Sequence, residues 1–204
     1  TILFGNYGEG EDEAAAFAYF PSLSSGDAAA GDVWVNISIG INAAPNLNAY
    51  GRHTLLHELG HALGLDHPGD YNAGEGAPTY VTEAVYYEDS RQYTVMSFWS
   101  GSNTGADLRG YYASAPLLDD IAAIQLLYGE NMSTRTSDTD YGFNSTSDRD
   151  FYTASSAGSV LIFAVWDAGG YDTLDFSGYG QNQIIDLRQG HFSNVGGMVG
   201  NVSI

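Results

Sequence analysis

Three histidines, His57, His61 and His67, fall at spacings of four and six residues in a stretch whose apolar positions repeat with a helical period. Leu55, Leu56, Leu59, Ala62 and Leu63 form the stripe, which predicts a helix over Arg52 to Leu65. A four-residue step advances about 400°, so His57 and His61 share one face, one turn apart. His67 cannot join them while the helix continues, because it would lie about 9 Å farther along the axis. The chain must stop its helix and double back between His61 and His67. Gly64 sits where that reversal is needed, since glycine takes positive φ just past a helix end without a Cβ penalty.

The chemistry of such a cluster is narrow. The 204 residues include no cysteine, so disulfide scaffolds, thiolate metal sites and cysteine nucleophiles are excluded and any metal site must use histidine and carboxylate. Three neutral imidazoles leave a tetrahedral zinc ion one open position for water, the arrangement of a reactive site rather than a closed structural one. Glu58, next to a ligand in the pattern H-E-x-x-H, is then the candidate general base. His53, one turn before His57, reads as a supporting or surface residue, and His191 has no metal-spaced neighbour.

Charge restricts the partners. A formal charge of -19, with 25 acids against 6 bases, argues against nucleic acid and anionic lipid as partners and favours cations. At 44% hydrophobic and 13% aromatic the chain is too apolar for a disordered acidic tail. The longest apolar run, Val160 to Trp166, is far short of a membrane span.

Short β-prone runs occur at Ile2 to Asn6, Ala16 to Phe20 and Val33 to Ile39, ahead of the helix. Pro68 to Tyr80 reads as a long loop, and a second helix is predicted over Leu117 to Tyr128, with Asp119 and Asp120 at its positive end and Gly129 after it. Beyond Glu130 the composition turns Ser/Thr/Asp-rich and then strand-like at Val160 to Trp166, Thr173 to Phe176 and Ile184 to Leu187, which suggests a boundary near 130 to 145. The chain opens and stops within strand-like text, so an excised piece, trimmed at both ends, is expected.

The run from His57 to His67 has the form H-E-x-x-H-x-x-G-x-x-H and resembles the metzincins, with Tyr93-Thr94-Val95-Met96-Ser97 similar to their Met-turn. Residues 68 to 74, 119 to 125 and Asp167-Ala168-Gly169-Gly170 narrow the resemblance to the serralysins, secreted bacterial zinc endopeptidases. The resemblance implies an α+β fold. Residues 1 to 130 would form an N-terminally truncated metzincin-like catalytic domain, with a twisted, mostly parallel sheet, an active-site helix and a second helix after the Met-turn. Residues 131 to 204 would begin a calcium-binding β-roll or β-sandwich domain, cut before its repeats.

It further implies zinc on His57, His61 and His67, catalysis by Glu58, and Met96 as an apolar floor below the metal. Calcium would be held by Arg135, Ser137, Thr139, Asp167, Gly169 and Asp172, mostly through oxygens. Ala16, Phe17, Ala18, Tyr19 and Phe20 would form the edge strand against which a peptide substrate lies. A monomer acting outside the cell on proteins and peptides is the implied setting, with no nucleic-acid or membrane partner. One position departs from the pattern: Phe98 stands where serralysins carry a tyrosine that can ligate zinc and donate to the tetrahedral intermediate. Matrixins lack that tyrosine and still hydrolyse peptides. The alternative is a catalytically weak or inactive zinc- and calcium-binding module.

Overall fold

A computed structural model describes residues 1–8, 14–22, 27–72 and 78–204. Ala73 and Gly74, at the end of the serralysin-like stretch after His67, and residues 75–77 of the predicted loop beyond them lie outside the described residues. The fold is mixed α+β, and its described strands form three sheets of three strands each.

The first sheet contains β1 (Phe4–Tyr7), β2 (Ala16–Ala18) and β3 (Val33–Asn36) in the order β1-β3-β2. β1 pairs parallel to β3 and β2 antiparallel to it, so the expectation of a mostly parallel sheet holds here for one pairing of two. Alternation sets the faces of β3: Val33 and Val35 are buried against Ala62, while Trp34 turns to the other face and stacks on Phe17 at 6.4 Å. The strand predicted to reach Ile39 ends at Asn36, because the Asn36 side chain accepts from the Ser38 N–H at 3.0 Å and bends the backbone out of the ladder. A short helix, α1 (Gly40–Ala43), follows that bend.

The long helix α2 spans Tyr50–Ala62, starting two residues before the predicted Arg52 and ending three before Leu65. Its end is a Schellman reversal. Leu65 N–H donates to Gly60 C=O and Gly64 N–H to His61 C=O, both at 2.9 Å, with Gly64 at φ 96°. α3 (Tyr80–Glu83) is one turn capped by Thr79, and α4 (Leu118–Tyr128) ends at Gly129 with φ 84°.

Beyond residue 130 the strands are β4 (Asp140–Phe143), β5 (Thr153–Ala154), β6 (Phe163–Ala164), β7 (Thr173–Asp175), β8 (Phe192–Ser193) and β9 (Val202–Ser203). The order β5-β4-β7 is parallel throughout, whereas β9 pairs parallel to β6 and antiparallel to β8. Tyr141, Leu161, Phe163, Val195 and Val202 form the core between these sheets. The predicted strand at Ile184 to Leu187 reduces to one bridge, Ile184 to Asn194, and its three large apolar side chains are exposed. Its apolar residues have no sheet face to cover, so periodicity alone overcalls it.

α2 sits so close to α1 that a Cβ on Gly51 would lie 2.1 Å from the Ile41 carbonyl oxygen. Alanine is favoured over glycine inside a helix by about 1 kcal/mol, but overpacking against backbone costs about 1–3 kcal/mol. Gly51→Ala should therefore destabilise the chain despite its better helix propensity; a urea midpoint equal to or above that of the parent would show that the two helices separate freely.

Candidate metal centre

The reversal after α2 brings His67 back over the helix. The Nε2 atoms of His57, His61 and His67 form a triangle with 3.1 Å on every side. None of these edges is a hydrogen bond, because each ring spends its proton on the other nitrogen. His57 Nδ1 donates to the Val95 carbonyl at 2.9 Å, His61 Nδ1 to Leu65 at 2.8 Å, and His67 Nδ1 to Tyr71 at 2.9 Å. Three bare nitrogen lone pairs thus face one point, an unfavourable arrangement unless a cation sits there.

The spacing fits such an ion. Nitrogens about 2.05 Å from a tetrahedral zinc lie roughly 3.3 Å apart, close to the observed triangle. Burial, helped by neighbouring histidines and Arg91, lowers the His57 pKa to about 3 although the Val95 bond opposes it. His61 and His67 are lowered mainly by burial as well. The rings are therefore neutral at pH 7, the state in which imidazole binds a metal.

The reversal has a double use, since the Leu65 residue that closes the Schellman motif also supplies the carbonyl that orients His61. Val95 is held from the far side. Asp120, 3% exposed, accepts from Thr94 Oγ1 at 2.6 Å, Val95 N–H at 3.0 Å and Leu117 N–H at 2.8 Å. Its carboxylate therefore caps α4 and clamps the segment that carries the His57 acceptor. Tyr71 is anchored by its hydroxyl, which donates at 2.7 Å to Asp89, a fully buried carboxylate that also accepts from Trp99 Nε1 at 3.1 Å.

Met96 is buried beneath this layer, and a Cβ on Gly60 would lie 2.4 Å from its sulfur, so the glycine lets the methionine pack directly under the helix. The Phe98 ring lies 4.7 Å from His67 and 5.9 Å from His57, facing the cluster with carbon alone. Glu58 is buried and makes no hydrogen bond among the described residues; burial pushes its pKa up to about 7. It borders a recess of about 110 Å³ together with His57, Phe98 and Ala16. His53 is 3% exposed and packed between Tyr50 and Tyr112, outside the triangle.

The edge strand is shorter than the run from Ala16 to Phe20: β2 ends at Ala18, although Tyr19 still exchanges main-chain bonds with Asp32 and Gly31. Phe17, Tyr19 and Phe20 are exposed, and the Phe20 ring stands 5.3 Å from that of His61. The proposed calcium residues lie on two adjoining loops. Thr139 N–H donates to Asp172 at 3.0 Å, Thr139 Oγ1 to the Ser137 carbonyl at 2.9 Å, and Gly169 N–H to Asp167 at 3.1 Å. Arg135, at φ 47°, approaches Asp167 to 3.8 Å and donates to Tyr141 Oη and the Trp166 carbonyl.

Sequence reasoning misses Val95, Leu65 and Tyr71 as acceptors because the working atom is a carbonyl, which every residue carries. It also treats Asp120 only as a helix-dipole residue; an Asp at the third helical position is a signal for a cap on the preceding N–H.

A family model described as the C-terminal region of the peptidase M10 serralysins matches residues 130–204. Serralysin C of Dickeya chrysanthemi is 59% identical over 93% of this chain and 39% of its own length. Metallopeptidase AprA of Pseudomonas marginalis is 58% identical over the whole chain and 43% of its own length, and serralysin B of Dickeya chrysanthemi 53% over the same shares. The chain belongs to the serralysin family of M10 peptidases. It spans about two-fifths of the length of the relatives it matches.

Asp119, beside the Asp120 clamp, contrasts with it. Its carboxylate accepts no hydrogen bond among the described residues, and burial, then Glu88 and Asp120, raises its pKa to about 7. A raised folded-state pKa means stability that is complete below the unfolded value near 3.8 and is lost as pH rises through about 7. The helix dipole offsets this by about 0.3–1 kcal/mol, leaving a net cost on the order of 1 kcal/mol at pH 8. Asp119→Asn should match the parent at pH 4 and exceed its urea midpoint at pH 8; equal midpoints at pH 8 would show that the charge costs nothing.

Proposed function

We propose that this chain is the peptide-hydrolysing part of a secreted zinc metalloendopeptidase. In this reading residues 1–130 belong to a metzincin-like catalytic domain and residues 131–204 to a calcium-binding domain. The observation that carries it is the convergence of three neutral, carbonyl-anchored imidazoles beside a buried glutamate that accepts no hydrogen bond among the described residues. His57, His61 and His67 would hold zinc, which when bound acidifies water and polarises a carbonyl.

The chain's own residues supply the rest. Glu58 takes the proton of the attacking water and returns it to the leaving amine; its pKa near 7 suits both halves of that transfer. The unpaired edge of β2 offers main-chain donors and acceptors to an extended peptide, with Phe20 covering the substrate above His61. Such binding reads backbone, so substrates would be proteins and peptides of broad sequence. Calcium at Arg135, Ser137, Thr139, Asp167, Gly169 and Asp172 would tie the segment after α4 to the loop between β6 and β7. Secretion, a monomeric state and the lack of nucleic-acid or membrane partners belong to the same proposal; no described helix is long and apolar enough to cross a membrane.

Metal analysis is expected to find one zinc and one calcium per chain, with zinc retained in Glu58→Ala and calcium reduced in Asp172→Ala. Chelator-sensitive casein cleavage should fall at least 100-fold in Glu58→Ala, since only the base is lost. Cleavage that persists in that variant would remove Glu58 from the mechanism, and a chain without stoichiometric zinc would end the peptidase reading.

Phe98 favours a second reading, a binding module with little turnover, because its ring can neither ligate nor donate. Loss of one donor to a developing oxyanion costs about 10²–10³ in turnover. Phe98→Tyr should then raise kcat by an order of magnitude or more with little change in KM. An unchanged kcat would mean that another group already fills that role.

A further inference from the structure

Arg91 lines the recess beside His57 and Glu58. The chain has only 6 bases against 25 acids, and among the described residues the ion pairs engage Arg52, Arg135 and Arg188, leaving Arg91 without a carboxylate. Its Nε donates to the Ser97 carbonyl at 3.2 Å, and its guanidinium lies 5.4 Å from the Tyr112 ring centroid. These contacts fix the stem and the plane. The two Nη groups make no hydrogen bond among the described residues.

Two recesses meet at this side chain. One is the 110 Å³ recess beside His57 and Glu58, and the other, of about 140 Å³, is lined by Ser100, Asp107, Arg109 and Tyr111. Arg91 is therefore part of the wall of the chamber next to the reacting groups. Of the other described residues lining the inner recess, Tyr50, His53, Thr54, Ser97 and Phe98 bring no charge, so Arg91 and Glu58 are its two ionisable charged side chains among the described residues.

We propose that Arg91 makes the recess beside Glu58 a subsite for an acidic side chain, so that peptides with Glu or Asp flanking the scissile bond are preferred over their amide counterparts. This rests on the peptidase reading and deepens it. A guanidinium held by one fixed N–H and lying over an aromatic ring can still meet a carboxylate with its free edge, and such charge-assisted pairs are about twice as strong as neutral hydrogen bonds. The overall charge of -19 opposes anionic peptides at long range, but solvent-exposed charges are screened over about 8 Å at physiological salt, whereas the contact with Arg91 is not. A preference for acidic residues in so acidic a protein would therefore be local in origin.

Matched quenched-fluorescence peptides that differ only by Glu or Gln, placed on either side of the scissile bond in turn, test this. The native chain should show a Glu:Gln ratio in kcat/KM of ten or more at one of the two positions. The ratio should fall to about one in Arg91→Met and in Arg91→Gln, the second keeping a donor for the Ser97 carbonyl, and recover in part in Arg91→Lys. A native ratio of one or less at both positions, or a ratio that survives both neutral variants, overturns the assignment. Fluorescence anisotropy with the same peptides and the Glu58→Ala chain reads the subsite without any cleavage. Roughly tenfold tighter binding of the Glu peptide supports Arg91 even if the peptidase reading fails, and equal affinities overturn it.

Discussion

Three hydrogen bonds from imidazole to backbone carbonyl organise this molecule. Each takes the ring proton onto Nδ1 and leaves Nε2 bare, so that His57, His61 and His67 present three lone pairs within 3.1 Å of one another. Without a cation the arrangement is repulsive, and with one it is preformed. The acceptors come from separate places: the turn that closes α2, the chain after His67 and the loop before α4. Their convergence requires all three to be held at once.

Much of the surrounding packing serves that requirement. Asp120 spends three acceptor bonds on the loop that carries Val95 and on the start of α4, which ties the second helix to the first through one buried carboxylate. Asp89 does the same for Tyr71 and Trp99. Donors surround both acids, although burial still outweighs those at Asp120 and raises its pKa to about 6; a buried charge with fewer partners would cost several kcal/mol more. Glu58 is the exception. It is buried and accepts no hydrogen bond among the described residues, and burial alone pushes its pKa up to about 7.

Local features were legible where a short-range pattern decides the structure. The stripe Leu55 to Leu63 announces α2, and its reversal follows from Gly64 and the distance His67 must travel. Leu117 to Tyr128 was legible for the same reason, with an acidic first turn and a closing glycine. Of the small strands after residue 130, Phe163–Ala164 and Thr173–Asp175 fall within the predicted runs, whereas the others were not legible. Phe192–Ser193 and Val202–Ser203 are two residues long and owe their existence to partners far along the chain, while Ile184 to Leu187 has the apolar pattern without a neighbour to pair with.

By itself the sequence determined the three imidazoles and their order, the helix that presents two of them and the glycine that returns the third, because each depends on residues within about ten positions. It also determined that Phe98 offers no oxygen beside the cluster. The tertiary structure alone decided which carbonyl meets each Nδ1, how Asp120 braces Val95, and that Arg91 borders the recess next to Glu58. Those contacts join residues 25 to 38 positions apart, or backbone atoms common to all residue types, so they exist only once the chain has packed.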